Sequence, residues 1–479
     1  MSRTLAVLLT LLAYNVAMIA IGVWATRRNT HDADFYLGGR QLGPWVTAIS
    51  ACASSSSAWT LLGVSGAAFA WGLSALWLFP ATVSGFIINF VWVAPRLRRM
   101  SLADGSITLT EFLAADSAGA IRAAIVRLSS LAIIFAFTFY IASQFQGAGL
   151  AFASSFGLPP GASIVLGAGI IVAYTLMGGF WAVSVTDLVQ GLLMVAAAIL
   201  LPLVALITVD GPGGLAAGLA RTAGDYGNSL TREYRGVLGL AFVLGTLGIG
   251  LGYPGQPHVV NRFMAARDEE TIRRGRIIGI VWAVLIYTGM LLLGLCARTL
   301  WSALPAGEQV LFHASNELLP PVLSGVMVAA VLSAIMSTAD SQLLVASSSL
   351  DWDLRLTGGR AEPRPANLGR TRLVVVGVSV VAMLLAIFAP AAIFTRVLFA
   401  WHALGSAFGP VLILRLAGRL VRPAAVLLSI AAGFFLTIAF YLLPDTPGDW
   451  VERLVPLLVA LATALVGSVK ASKRRSVEA

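Results

Sequence analysis

The sequence predicts an all-α integral membrane protein that forms a single transmembrane domain over residues 1–479. The first observation is composition, since 58% of the 479 residues are hydrophobic, only 11% are charged, and the mean hydropathy is +0.87. Soluble domains are much less apolar than this. The second observation is that apolar segments of about 20 residues, enough to cross a bilayer as a helix, follow one another with only short linkers between them.

These apolar segments predict about thirteen transmembrane helices. The first of them could be a secretory signal, but its apolar run exceeds the roughly 7 to 15 residues of such a signal and no A-x-A cleavage pattern follows. We therefore expect it to remain as a helix. In chain order the predicted spans lie near residues 4–25, 43–71, 73–95, 123–154, 160–178, 181–209, 236–262, 277–301, 318–348, 371–390, 392–414, 424–444 and 453–469.

Basic residues give the third observation, because they are unevenly shared between the two sides of these spans. With the N-terminus outside and the C-terminus in the cytoplasm, most of the 32 Lys and Arg residues fall on the cytoplasmic side, as expected for a protein of the cell (inner) membrane. The net charge of +10 therefore reports topology and attraction to the lipid bilayer, and it does not indicate nucleic-acid binding. The arginines expected outside are Arg3, Arg221, Arg232, Arg235, Arg298, Arg396 and Arg453.

The composition also limits the class of protein. A phosphate-binding loop of an ATP-driven pump needs a lysine followed by Ser or Thr, and the two lysines, Lys470 and Lys473, have no such neighbour. An enzyme is not expected, because a metal site would need clustered ligands. The four histidines are instead scattered: His31, His258, His313 and His402. A channel or a transport-derived sensor stays open as an alternative class.

Two spans carry sequences that should interrupt a helix. One is the serine-rich SACASSSSAW at residues 50–59, and the other is GIGLGYPGQPH at residues 248–258, where Pro254 and Pro257 each lack a backbone donor. Broken backbone at membrane depth persists where it lines a cavity or is buried in protein. Interrupted helices in two corresponding halves are typical of secondary transporters with inverted repeats. We expect these repeats at residues 43–209 and 236–418.

Five motifs resemble those of the sodium/solute symporter family, and in particular its sodium/proline symporters. They are FYLGGRQLGPWVTAISACAS, GGFWAVSVTDLVQGLLM, GLGYPGQPHVVNRFMAA, SAIMSTADSQLLVASSS and AFGPVLIL, and the match runs in order from about Asp34 to Arg422. The resemblance implies a LeuT-type core of two inverted five-helix repeats. One extra N-terminal helix (residues 1–28) would precede this core, and two C-terminal helices (residues 424–470) would follow it.

The same resemblance implies a sodium site between the first break and the eighth core helix. Its ligands would be three backbone carbonyls and the hydroxyls of Ser337 and Thr338, and such oxygens suit a hard cation. The alternative interpretation of the serines is close helix packing. The carbonyls would come from Ala53, Ser56 and Ala334.

One difference from the sodium/proline pattern concerns charge. Those symporters carry an aspartate, within S-A-G-A-S-D, where this chain has Ser55. A carboxylate that helps to neutralise sodium is therefore missing, and H⁺ becomes the alternative coupling ion to Na⁺. Resemblance to sialic-acid-transporting relatives implies a possible second cation site, in which Ser337 would be joined by Asp187, Asp340 and Ser341. The alternative is that both acids reach the inner interface and pair with loop arginines.

For the solute, the resemblance implies a site of aromatic rings and hydroxyls near the two breaks, which suits a small organic solute such as proline or another amino or carboxylic acid. This chain has Ile249 where the sodium/proline pattern has tryptophan. His402 is either a packing residue or a solute ligand. Arg40 matches an arginine expected to gate the inner mouth. The predicted solute-binding residues are Tyr140, Gln144, Ser57, Trp59, Tyr253 and His402.

Together these features predict a cation-coupled symporter that takes up a small solute by alternating access, with sodium as the coupling ion. No obligate protein partner is implied.

Overall fold

The computed structural model describes residues 2–26, 37–176, 179–222, 226–227, 229–351, 353 and 368–470. Residues 27–28 and the basic run at residues 473–475, which contribute to the predicted charge bias, lie outside these ranges. Within them the chain is almost entirely helical. One short antiparallel pair of strands, β1 (Arg419–Val421) and β2 (Ser468–Lys470), joins the end of the second predicted repeat to the C-terminal segment, with Arg419 opposite Lys470.

The described residues of the first half of the chain form ten helices. They are α1 (Arg3–Thr26), α2 (Pro44–Ser55), α3 (Val64–Trp71), α4 (Leu78–Ile87), α5 (Ala94–Asp104), α6 (Leu109–Leu113), α7 (Gly119–Phe156), α8 (Pro160–Thr175), α9 (Phe180–Thr208) and α10 (Gly211–Arg221). Short wide turns of π type join α4 to α5 and begin α3, and a 3₁₀ turn at Gly72–Trp77 separates α3 from α4.

The described part of the second half forms nine further helices. They are α11 (Gly236–Leu251), α12 (Pro257–Met264), α13 (Glu269–Leu300), α14 (Val310–Leu318), α15 (Pro321–Asp351), α16 (Leu368–Phe388), α17 (Ile393–Leu416), α18 (Pro423–Tyr441) and α19 (Trp450–Val466). Proline at the first helical position starts several helices of both halves, among them α2, α12 and α18. Its missing N–H is not needed there.

The structure confirms both predicted breaks. Helix α2 ends at Ser55, and Ser56 is extended at φ −116° and ψ 90° before the chain resumes helical geometry at Ala58. Helix α11 ends at Leu251, and after a 3₁₀ turn Gln256 is extended at φ −92° and ψ 103°. Proline at position 257 then starts α12, since it cannot donate to the preceding turn.

The membrane character of the chain is also confirmed. Within the described ranges, ten helical stretches are long and apolar enough to cross a bilayer. Each predicted span overlaps a helix of the structure, but several are broken or shorter than a full span, such as α2 and α8. The count of thirteen therefore stays a prediction.

Two helices form the centre of the molecule. In the apolar windows of α15 and α17, 83% and 94% of the residues are buried, against 33% in α1, α16 and α18, which present apolar faces outward. Helix α15 packs against α1, α2, α7 and α9, and α17 packs against α7, α18, α19 and the turn at Tyr253–Gly255. The first break therefore faces α15, and the second faces α17.

Candidate functional site

The first break lies directly against the middle of α15. The hydroxyl of Ser337 donates to the carbonyl of Ala53 at 3.0 Å and to that of Ala334 at 3.2 Å. The neighbouring hydroxyl of Thr338 donates to the carbonyl of Ser54 at 3.1 Å. All of these residues are fully buried, so polar oxygens from two helices converge where α2 stops.

Four of the five predicted sodium ligands are therefore brought to one place, and the fifth is their close neighbour. Ser56 donates its backbone N–H to the carbonyl of Ala53 at 3.1 Å. Among the described residues, the buried hydroxyls of Ser54 and Ser56 have no hydrogen-bond partner. The donor set is made of hydroxyls and carbonyls, the oxygen ligands that a hard monovalent cation accepts. These residues fit a sodium ion.

Ser55 points away from this group. Its hydroxyl donates to the carbonyl of Cys52, one turn back in α2, at 2.9 Å. The residue that stands in place of the expected aspartate is thus bonded within its own helix and adds no charge to the site.

The predicted second cation site contains a cation that sequence reasoning missed. The guanidinium of Arg262 on α12 lies 3.0 Å from a carboxylate oxygen of Asp187 on α9 and also donates to the hydroxyl of Ser341 on α15. Ser50 completes the cluster, donating to Asp187 at 2.6 Å and accepting from Nε of Arg262 at 3.0 Å. The pair is fully buried, and this arrangement balances the charge of Asp187.

Asp340 is a neighbour of this cluster but is not joined to it by a hydrogen bond. Its carboxyl interacts electrostatically with Asp187 and Arg262. In the described part of the chain, neither of its side-chain oxygens has a hydrogen-bond partner, and the residue is fully buried. A buried carboxyl without a partner is expected to hold a proton or to bind a cation.

A small cavity lies beside Arg262. Its volume is about 10 Å³, which is roughly the space of one water molecule. Arg262, Ser341 and Ser348 line it together with Thr108, which precedes α6. Arg262 thus borders this cavity together with two hydroxyl residues of α15.

The predicted solute residues of the first break are held together by α7. The side-chain oxygen of Gln144 accepts from the backbone N–H of Ala58 at 3.0 Å, and the hydroxyl of Tyr140 donates to that of Ser57 at 3.4 Å. Ser57 also accepts from the backbone N–H of Trp59 at 3.1 Å. Two residues of α7 therefore satisfy the broken end of the helix and fix its position.

Aromatic rings connect this group to the second break. Three members of the set, His258, Trp401 and Tyr287, were not predicted from the sequence. We call the set the aromatic circuit. Its contacts are Tyr140 with His258 (6.2 Å between ring centroids), His258 with Trp401 (6.4 Å), Trp401 with Tyr253 (4.6 Å), Tyr253 with Tyr287 (3.2 Å between hydroxyls) and Tyr287 with Trp59 (6.3 Å).

His402 is also buried in α17, but the structure gives it no ring contact with the aromatic circuit. The charged group that interacts with it is Arg453 on α19, whose guanidinium pairs with Asp449 at 2.6 Å. Its predicted role in solute binding therefore gains no support from its surroundings and stays a prediction.

Arg40 connects three segments, the one before α2 and those at the ends of α12 and α5. Its guanidinium donates to the carbonyl of Met264 at 2.8 Å, to that of Ser106 at 2.7 Å and to that of Ser101 at 3.3 Å. Burial lowers the pKa of this guanidinium, and the nearby Arg98 lowers it further. These bonds hold the segment before α2 against the ends of α12 and α5.

The residues that sequence reasoning missed had weak signals. Arg262 is a charge inside an apolar motif, VVNRFM, and an intramembrane charge indicates function by default. His258 directly follows the second break. Trp401 and Tyr287 look like ordinary apolar positions, and only the packing of α13 and α17 reveals their contacts.

Two broken helices, one bordered by oxygen-rich groups and the other by aromatic rings, are typical of secondary transporters built from inverted repeats. The family model for the sodium:solute symporter family matches residues 35–427, and the chain belongs to this family. The predicted family membership is thus confirmed, and the chain is a cation-coupled symporter.

Named relatives and solved structures agree with this assignment. The chain is 37% identical to the high-affinity proline transporter PutP of Bacillus subtilis (strain 168) over 93% of its length and 96% of that protein. It is 33% identical to a sodium/proline symporter of Staphylococcus aureus (strain JH9), covering 89% and 84% of the two chains. A solved Na⁺-coupled sialic acid symporter has a similar fold, with a TM-score of 0.78 at 19% identity over 98% and 99% of the two chains.

Proposed function

We propose that this protein uses a sodium gradient to take up proline, or a closely similar amino or carboxylic acid, across the cell membrane. The observation that carries the proposal is the contact of Ser337 and Thr338 with the carbonyls of the first break, beside the aromatic circuit. Relatives that cover nearly the whole chain are named proline transporters. An aromatic wall with a few hydroxyls suits the apolar ring and charged ends of proline.

In this proposal sodium is held by the carbonyls of Ala53, Ser56 and Ala334 and by the hydroxyls of Ser337 and Thr338. Each hydroxyl now donates its proton to a carbonyl, and by rotating it can offer a lone pair to a cation instead. The ion then supplies the positive charge that joins α2 to α15. Its binding fixes the unwound segment that carries Ser57 and Trp59, and so it prepares the solute site.

Arg262 forms a buried cluster with Asp187, Ser341 and Ser50, which we call the arginine cluster. This cluster favours coupling to one sodium ion. Arg262 already neutralises Asp187 and occupies Ser341, so two groups expected at a second cation site are taken. Asp340 supports the alternative coupling, because a buried carboxyl with no hydrogen-bond partner among the described residues can carry a proton. Proton coupling is therefore our second candidate.

Transport then follows by alternating access, in which the core bundle of the two inverted repeats, residues 43–209 and 236–418, rocks against its scaffold. We propose that the N-terminus lies outside and that the C-terminus lies in the cytoplasm. Arg40 would gate the inner mouth by releasing the carbonyls of Met264 and Ser106, which it now holds.

Uptake of radiolabelled L-proline into proteoliposomes tests the proposal. An inward sodium gradient should drive accumulation, and a proton gradient in sodium-free buffer should not. Accumulation driven by protons alone would favour the second candidate. Saturable counterflow separates a symporter from a channel, which shows none, and from a sensor, which moves no solute. Absence of proline uptake under every gradient would overturn the assignment of the solute.

A further inference from the structure

His258 lies at the start of α12, where the chain resumes a helix after the second break. It is the second residue of this eight-residue helix, directly after Pro257. The side chain is fully buried, and its ring meets Phe137 at 5.2 Å and Tyr140 at 6.2 Å between centroids, both nearly perpendicular. Trp401 lies on another side at 6.4 Å. The imidazole thus links the Tyr140 and Trp401 parts of the aromatic circuit.

Within the described ranges, neither ring nitrogen of His258 has a hydrogen-bond partner. An imidazole has one donor and one acceptor nitrogen when it is neutral, and leaving both unused in a buried site costs free energy. The charged form is disfavoured here, because the ring is fully buried and the guanidinium of Arg262 lies one helical turn away on α12. A neutral histidine whose N–H has no hydrogen-bond partner among the described residues therefore lies against Tyr140, a predicted solute-binding residue.

The ring is also close to the sodium site. One ring nitrogen lies near the carbonyl oxygen of Ser54, although the two do not meet the geometry of a hydrogen bond. That carbonyl accepts from Thr338 at 3.1 Å, so His258 lies between the predicted cation ligands and the aromatic rings. In addition, the start of α12 presents the positive end of its helix dipole beside the imidazole.

We propose that His258 is a solute-binding residue that donates its ring N–H to the carboxylate of the solute. This inference rests on the proposed function. The apolar body of the solute then lies against Trp401 and Tyr253, and the carboxylate lies toward the start of α12 and the sodium site. Placing the anionic end of the solute next to the cation joins the two binding events electrostatically.

Binding of L-proline and of L-prolinamide, which lacks the carboxylate, tests this inference with purified protein in saturating sodium. The wild type should bind proline at least about tenfold more tightly than prolinamide, which corresponds to about 1.4 kcal/mol. His258→Phe keeps a ring against Phe137 and Trp401 but has no nitrogen. It should weaken proline about tenfold, leave prolinamide within about twofold, and so abolish the preference. His258→Gln, which restores an N–H donor, should recover part of the preference.

His313→Gln is the matched control, since this histidine packs on Trp301 at 4.5 Å and lies outside the aromatic circuit. It should retain the wild-type preference. Equal weakening of both ligands in His258→Phe would indicate a structural role and overturn the inference, as would an unchanged preference in that variant. If His258→Phe does not give a monodisperse protein, the comparison of His258→Gln with His258→Leu decides in the same way. A wild type that binds no proline in sodium would instead overturn the proposed function.

Discussion

The two broken helices differ in the groups that satisfy their broken ends. At the first break, hydroxyls on α15 donate to the freed carbonyls of Ala53 and Ser54. At the second break, the donors are nitrogens. Gln256 donates its amide to the carbonyls of Gly252 and Trp401 at 3.1 and 2.8 Å, and the indole of Trp401 donates to that of Ile249 at 3.2 Å.

This difference is chemical. A hydroxyl can either donate a proton or offer a lone pair, so it can give up a carbonyl and bind a cation together with it. An amide or indole N–H can only donate, so the carbonyls that it holds stay occupied. The first break is thus suited to bind and release an ion, and the second is suited to form a fixed wall.

Packing reinforces the contrast. Gly255 and Gly252 of the second break approach Gly405 of α17 so closely that a Cβ on Gly255 would lie 2.7 Å from the Cα of Gly405. Backbone contacts of this kind leave little freedom to move. Around the first break, by contrast, the buried hydroxyls of Ser54 and Ser56 have no hydrogen-bond partner among the described residues, and this part of the site can change its bonding.

The test of this contrast with the largest expected effect removes the two hydroxyls of α15 that contact the first break. Ser337→Ala combined with Thr338→Ala should raise the sodium concentration for half-maximal uptake about a hundredfold or more, because each hydroxyl contributes about 1.5 kcal/mol to binding a charge. Sodium titration of proline uptake measures this. Ser347→Ala with Ser348→Ala is the control, since the hydrogen bonds that these hydroxyls form among the described residues lie within α15. An unchanged half-saturation in the first double variant would refute the sodium assignment.

The second test concerns the rigid wall. Gly255→Ala places a methyl group against the backbone of α17 and should destabilise the protein by about 1 to 3 kcal/mol, seen as a lower melting temperature. Ser56→Ala at the first break removes a hydroxyl that has no partner in the described structure and should leave the melting temperature nearly unchanged. Gly409→Ala is the control, as its Cβ would lie 3.9 Å from the nearest atom. Equal losses at both breaks would remove the contrast.

The third test restores charge to the first break. Ser55→Asp should tighten sodium binding about tenfold, or about 1.4 kcal/mol, once the carboxylate turns from the Cys52 carbonyl toward the ion. A buried carboxyl keeps its proton to higher pH, so the gain should be larger at pH 8 than at pH 6. Ser55→Asn has nearly the same size without charge and should show no gain. If sodium titration gives Ser55→Asp the same sodium affinity as the parent at both pH 6 and pH 8, this account is contradicted.

The test with the smallest expected effect concerns only the second break. Tyr253→Phe loses the hydroxyl contact with Tyr287, which is 3.2 Å long, and should weaken proline binding about fivefold, or about 1 kcal/mol. Sodium affinity measured without proline should not change. Tyr441→Phe, whose ring stacks on Phe399 at 4.1 Å, serves as the control. A loss of sodium affinity in Tyr253→Phe would mean that the two breaks are not separate in function.

The sequence predicted the breaks because their causes are local. Proline lacks a donor and glycine lowers helix propensity, so the interruption near Tyr253 can be recognised without any tertiary contact. The family-implied oxygens of Ala53, Ala334 and Ser337 also meet as expected, since the motifs that carry them fix both helices.

The arginine cluster and the aromatic circuit could not be predicted in the same way. Arg262 meets Asp187 only because α12 packs against α2 and brings this side chain to α9 and α15, which is a property of packing. Trp401 joins the site because α17 approaches the second break through glycines. Such contacts join residues far apart in the chain, and no local pattern in one sequence specifies them.

Helix α12 is a short, rigid connection between His258 and Arg262. It is eight residues long, too short to bend, and it carries His258 at one end of a single turn and Arg262 at the other, with the arginine donating to the carbonyl of His258. One turn spans about 5.4 Å. A displacement of the His258 end would therefore move the guanidinium of Arg262, with its bonds to Asp187 and Ser341, by a similar distance. Under the proposed function, a shift of α12 on solute binding would reach the neighbourhood of the cation site through this one helix.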